Sequence, residues 1–218
     1  MRQAIQKTLA YASIFNYHLT SKEIHYWLTG EKASLSEVQA ELKKLNLPKK
    51  NFKNRQLKSK IAAKKWAIAQ RTSLLLSKIP TILSILVTGN LSMNNSAPDD
   101  DIDLLIVSQR NTIWTTRFFV NLITDLLKIR RHPNDKQFKN KICLNMFLDE
   151  DHLLIEDKNT YTAHELLQAK PIHDKNNTYQ KFISTNSWAE KYLPNAYSAS
   201  SGVANRSVAG DLTPPRWR

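Results

Sequence analysis

Only one cysteine, Cys143, occurs in the 218 residues, and it lies inside an apolar run. No intramolecular disulfide can form, so the fold must be held by its core, and a chain of this length buries enough apolar surface for that. A reducing compartment, the cytoplasm, is the expected location. No uncharged apolar stretch approaches the roughly 20 residues needed to span a bilayer. The nearest one, 112–129, is interrupted by Arg117, Asn121 and Asp125. The residues after Met1 mix polar and apolar types and lack the apolar centre of a signal peptide. No membrane partner is expected. Internal repeats are absent, as are the clustered Cys and His residues of a structural zinc module.

Acidic side chains are scarce. Nineteen Asp and Glu stand against thirty-two Lys and Arg, a formal net charge of +13, which favours a polyanionic partner such as nucleic acid or nucleotide. Between Lys43 and Arg71 there are eleven basic residues and no acidic one. A solvated helix face with a loop explains such a run as well as a phosphate-contacting surface does.

Helix starts are marked by hydroxyl residues with Glu three positions on: Thr20 with Glu23, Ser34 with Glu37, Thr162 with Glu165. Ahead of the first lies an apolar helix through Ile5, Leu9 and Ala12. A short helix through Ile24 and Leu28 closes at Gly30, and another runs through Leu35, Val38, Leu42 and Leu45. Three short helices in succession form a helix-turn-helix or winged-helix-like unit over 1–56, although 46–56 lacks the alternation of a wing hairpin. From Leu57, apolar residues at Ile61, Ile68, Leu75 and Ile79 predict one long helix ending before Pro80, with Lys64 and Lys65 turned to water.

Short β-branched runs at 82–88, 102–107 and 142–148 predict strands of one sheet. A helix over 112–129 should pack on that sheet through Trp114, Phe118, Leu122 and Leu126. The expected fold class is α+β, a small mixed sheet with packed helices behind the helical front unit. The expected division is 1–56, 57–170, a C-terminal helical segment 171–197 ending its helices at Pro194, and a tail 198–218 with too few large apolar residues to order itself. His164 is expected on a helix surface, and Trp66, Trp114 and Trp188 in a core or interface.

The chemistry concentrates between 87 and 104. Val87-Thr88-Gly89-Asn90 is followed, ten residues later, by Asp101-Ile102-Asp103-Leu104. Residues two apart in a strand share a face, so Asp101 and Asp103 present their carboxylates side by side while Ile102 and Leu104 enter the core. Such a pair repels itself unless a cation joins it, and Mg²⁺, which takes one or two carboxylates plus substrate phosphates, suits it. Gly89 permits a tight turn and close backbone approach, with the following amides free to cradle phosphate oxygens. A solvated acidic loop would account for Asp99 and Asp100, but not for an acid flanked by Ile102, Leu104, Leu105 and Ile106.

Over about residues 80–150 this pattern resembles the DNA polymerase β-like nucleotidyltransferase superfamily, whose signature is an apolar residue, Gly, Ser or Gly, a spacer, then Asp-apolar-Asp/Glu-apolar. Wider stretches, including Tyr161-Thr162-Ala163-His164-Glu165, look like bacterial proteins that join a winged-helix-like segment to such a domain. The resemblance implies Asp101 and Asp103 as catalytic ligands of Mg²⁺ or Mn²⁺, Gly89 and Asn90 as the turn that binds the phosphates of an NTP, ATP among them, and transfer of a nucleoside monophosphate to a hydroxyl acceptor. Asn90 departs from the usual Ser or Gly. Asn145 occupies the expected place of the third carboxylate and cannot accept a proton at neutral pH, unless Asp149, Glu150 or Asp151 supplies the base. The alternative implication is a nucleic-acid-binding regulator, contacting its partner through Lys43 to Arg71, with an inactive or nucleotide-sensing transferase fold.

Overall fold

The computed structural model describes residues 1–45 and 53–202. The fold is α+β, and the chain forms two compact units interleaved in sequence. One comprises Met1–Lys50, Glu156–Leu167 and Asn186–Arg218, the other Asn51–Ile155 and Gln168–Thr185.

In the first unit, α1 (Arg2–Ile14) buries Ala4, Ile5, Thr8 and Ala12. Helix α2 (Ser21–Tyr26) opens with a complete capping box: Glu23 N donates to Thr20 Oγ1 and Thr20 N to the Glu23 carboxylate. Helix α3 (Leu35–Leu45) begins with the same reciprocal pair, Ser34 and Glu37. The supposed wing, 46–56, lies outside the described residues up to 52, and from Lys53 onward it is already helix.

The second unit is built on a four-stranded mixed sheet in the order β3-β2-β1-β4. Strand β1 (Ile82–Val87) is central and buried throughout, β2 (Ile102–Ser108) pairs with it antiparallel, and β3 (Ile142–Asp149) pairs parallel to β2. Helix α4 (Lys53–Leu76) lies against one face of the sheet, where Ala62, Trp66, Ala69 and Leu76 meet Ile85, Val87, Ile102, Leu104 and Ile106. Ala62 and Ala69 let the helix come close, and the Trp66 indole N–H is satisfied by Asn94 Oδ1 at 2.8 Å.

Several expectations are corrected here. Lys65 does not face water; it is fully buried. Helix α6 (Ile113–Leu126), which follows the four-residue helix α5 (Gly89–Ser92) and β2, packs inward through Thr116, Val120 and Thr124. The stripe Trp114, Phe118, Leu122 and Leu126 faces outward, with Trp114 77% exposed. Threonine satisfies its hydroxyl within its own helix, as Thr124 does on Val120 O at 2.7 Å, so the smaller face can be the buried one. Helix α7 (Thr160–Gln168) starts two residues before Thr162, and its cap is Asn159, whose Oδ1 accepts from Thr162 N at 2.9 Å. His164, placed on a surface by sequence, is buried in the first unit and stacks on Tyr11, ring centroids 3.9 Å apart.

A fourth strand, β4 (Lys170–Asp174), interrupts the stretch expected to be helical and pairs antiparallel with β1. It carries Pro171, which an edge position tolerates. Helix α8 (Thr178–Thr185) and a 3-10 turn (Ser187–Lys191) lead to α9 (Pro194–Ser200). Pro194 therefore begins a helix where sequence had it end one, since the first helical turn needs no N–H from it. The ordered helix takes in Ser198–Ser200; residues 203–218 of the expected tail lie outside the described residues. Among the described residues no helix is long and apolar enough to cross a membrane.

Candidate active site

Strand β1 delivers its last residue, Val87, to an extended Thr88 (φ −121°, ψ −171°) and then to Gly89, whose φ is +61°. Glycine is required there twice over. The positive φ disfavours other side chains, and a Cβ on Gly89 would lie 2.5 Å from Asp103 Oδ2. The carboxylate therefore sits directly against the bare α-carbon of the turn. Ser92 Oγ donates to Gly89 O at 2.7 Å and Asn95 N to Asn90 O at 2.9 Å, which closes the short helix.

Asp103 is fixed by strand pairing on both sides: Thr88 N donates to its carbonyl at 3.1 Å, and in the parallel ladder it stands opposite Cys143. Asp101, one residue before β2, shares its face. One ligand atom from each of Asp101, Asp103 and Cys143 can be chosen so that all lie within 4.8 Å of one another. Arg131 Nη1 contacts Asp101 Oδ2 at 2.5 Å, and its guanidinium carbon lies 4.6 Å from the centroid of the Phe138 ring.

Electrostatics follow from this crowding. Burial first, and the neighbouring Asp101 charge second, push Asp103 up to about 6. Burial and the facing Asp103 carboxylate push the Cys143 thiol, which is hydrogen-bonded to that carboxylate, up to about 12. The bond to Asp101 raises Arg131 further.

The sequence-predicted residues divide. Asp101, Asp103 and Gly89 converge. Asn90 turns aside, its Nδ2 donating to Asp100 Oδ2 at 3.1 Å, an oxygen that also accepts Ala97 N at 2.9 Å. Asp100 is thus used in closing the loop. Asn145 is not the residue paired with Asp103. A bulge in β3 pairs Leu104 with Leu144 and Leu105 with Met146, which leaves Asn145 unpaired and exposed, and Cys143 stands across from Asp103 instead. In a regular strand Cys143 and Asn145 share a face, so nothing in the sequence tells which one faces the acid. Asp149, Glu150 and Asp151 lie at the other end of β3, six or more residues and roughly 20 Å along the strand. They accept the backbone of Asn111, accept the backbone of Arg110 and pair with the Arg110 side chain, respectively. Arg131 was missed by sequence, where it reads as one member of the Arg130-Arg131-His132 cluster.

Whether these groups fit a divalent cation can be judged from their chemistry. Two hard carboxylates on one face, one of them destabilised in its charged form, fit Mg²⁺ or Mn²⁺. A thiol held at about 12 stays protonated at neutral pH and is a poor ligand for so hard an ion. Thr88 supplies a further sign of a missing partner. Its hydroxyl is buried without a hydrogen bond among the described residues, and alternation from Val87 places it on the Asp103 face of the sheet.

No protein-family model matches the chain, and no curated protein does. Among solved structures, one described as "Crystal structure of the toxin-antitoxin with AMP-PNP" is similar at a TM-score of 0.31 and 14% identity, over 56% of this chain and 89% of that one.

Proposed function

We infer that the protein is a nucleotidyltransferase, moving a nucleoside monophosphate from an NTP to a hydroxyl acceptor. The observation that carries this is the pair Asp101 and Asp103, whose ligand atoms lie close together, with the Asp103 carboxylate against the α-carbon of Gly89. Mg²⁺ or Mn²⁺ held by the two carboxylates would neutralise the triphosphate and polarise the reacting phosphorus, and chemistry of this kind rests mostly on positioning and charge. The chain's own groups set the stage for it. Strand pairing fixes Asp103, Gly89 keeps its oxygen uncovered by any Cβ, and Arg131 pairs with Asp101, balancing its charge.

Among the described residues no carboxylate or imidazole occupies the third corner, where Cys143 stands. A thiol at about 12 does not accept the acceptor's proton at neutral pH, so slow transfer is expected. The same observation favours a second reading, a site that binds nucleotide without turning it over.

The deciding experiment offers each of the four NTPs, labelled at the α-phosphate, with Mg²⁺ or Mn²⁺ to the full chain with and without added RNA, and follows label into protein or RNA. Transfer that disappears in Asp101→Asn and Asp103→Asn is the expected outcome. Nucleotide binding by calorimetry without any transfer replaces the enzyme with the sensor, and absence of both removes both readings.

A further inference from the structure

Lys65, in the middle of α4, is among the largest fully buried side chains of the described residues. A buried ammonium is costly unless each of its three protons finds an acceptor. Here all three do: Nζ donates to Pro98 O at 3.3 Å, Asp100 O at 2.5 Å and Asn140 Oδ1 at 2.9 Å. No carboxylate oxygen is among them, so the contact is not an ion pair, and the ammonium acts as a three-way tie between backbone and amide oxygens.

The acceptors belong to two loops. Pro98 and Asp100 lie in the segment that feeds β2, and Asp100 immediately precedes Asp101. Asn140 sits in the turn that feeds β3, three residues before Cys143, with φ +61°. The loops also bond each other, Asn140 N to Asp100 O at 3.2 Å and Ile102 N to Lys141 O at 2.9 Å. Asp100 O thus receives both Lys65 and Asn140. The point where the two strands begin, which sets the separation of Asp101, Asp103 and Cys143, is gathered on a single side chain of a helix.

We propose that Lys65 is the positioning residue of the Asp101–Asp103 site, fixing the spacing of the β2 and β3 entries so that the carboxylate pair is held ready for a divalent cation; the cation part takes as given the metal reading above. An apolar side chain of the same length would fill the space in α4 but withdraw the Lys65 donor from three oxygens, leaving Asp100 O with Asn140 N alone, and the loops would separate to reach water.

The test uses the full chain, Mg²⁺ and Mn²⁺ as probes, and Cys143 as a built-in reporter, since it is the sole thiol and stands opposite Asp103. Lys65→Met is expected to weaken cation binding by calorimetry about tenfold or more, as changes behind metal ligands do, and to speed labelling of Cys143 by a thiol reagent. Val120→Ala, a core cavity remote from these loops, serves as the control, each protein being compared at the same interval below its own melting temperature. Asn140→Gly, which removes one acceptor, keeps the ammonium and suits the positive φ of that position, should fall between wild type and Lys65→Met on both readouts, and it carries the test if Lys65→Met fails to fold. Faster Cys143 labelling in the Lys65 or Asn140 variant but not in the control supports the proposal, even if the wild type binds neither cation, a result that would overturn the metal reading alone. Unchanged labelling and unchanged cation affinity in the variants, or equal acceleration in the control, overturns it.

Discussion

The sharpest consequence of the site concerns its stability without metal. Folding raises Asp103 from 3.8 to about 6, chiefly by burial and next by the charge on Asp101. For a carboxylate raised on folding, the native state holds its proton longer than the unfolded one. The stabilising difference is full below about pH 4 and is lost as pH rises through 6. Above that the ionised group opposes folding. Two units correspond to about 3 kcal/mol, and partial solvent contact brings the expected figure to about 1–3 kcal/mol. For a domain of this size that is about 2–12 °C in melting temperature. Asp103→Asn keeps the shape and still accepts from Cys143, so in chelator at pH 7.5 it should melt above wild type by that margin, and the margin should vanish near pH 4. Mg²⁺ should reverse the order, because a ligand at a hundred times its Kd adds about 2.7 kcal/mol to the wild type alone. Thermal melts of both proteins at the two pH values, with chelator and with Mg²⁺, test all three statements. A variant that melts below wild type in chelator at pH 7.5, or that gains as much from Mg²⁺, refutes the reasoning.

At the third corner, Cys143→Asp should supply the missing carboxylate. Cation affinity by calorimetry should rise, as should label transfer, on the order of 10²-fold where the new group serves as base. Asn145→Asp, placed on the bulge, should change neither. In the other unit, burial pulls His164 down to about 3, so the unfolded chain takes up its proton first and stability is lost as pH falls below 6.5, by about 1.4 kcal/mol per pH unit. His164→Phe, which keeps a ring against Tyr11, should flatten that loss in urea denaturation at pH 6.5, 5.5 and 4.5; a parallel slope for both proteins would exclude His164 as its source.

The three strands that carry large β-branched runs were legible in sequence, as were the capping boxes at Thr20 and Ser34, because each depends on residues close in the chain. The acidic pair was legible for the same reason: the period-two rule puts Asp101 and Asp103 on one face without reference to anything distant. What failed was non-local. Which of Cys143 and Asn145 faces Asp103 depends on the register between two strands about forty positions apart, and a bulge beyond that pair then leaves Asn145 unpaired. Lys65 reads as a solvated lysine in a basic helix, and its three acceptors, thirty-three to seventy-five positions away, carry no sequence mark. Hydrophobicity points to the wrong face of α6, because the residues it buries are Thr116, Val120 and Thr124. Strand β4, with Ile172 as its one large apolar residue, owes its conformation to the edge of β1 and not to its own composition.

The interleaving of the two units bears on how the chain is made. It passes from one unit to the other four times, after residues 50, 155, 167 and 185. The N-terminal helices leave the ribosome first but are completed last. Asn195 Nδ2 donates to His25 O at 2.8 Å and to Ala33 O at 3.1 Å, contacts that span about 160 to 170 positions, and Tyr11 waits for His164. During synthesis the sheet unit can close once residue 185 has emerged, while α1–α3 must stay partly open with Tyr11 and Trp27 uncovered, a long-range closure that is slow and open to misassociation. A fragment ending at residue 79 would make that interval permanent, so nucleic-acid binding by the N-terminal helices has to be measured on the whole chain.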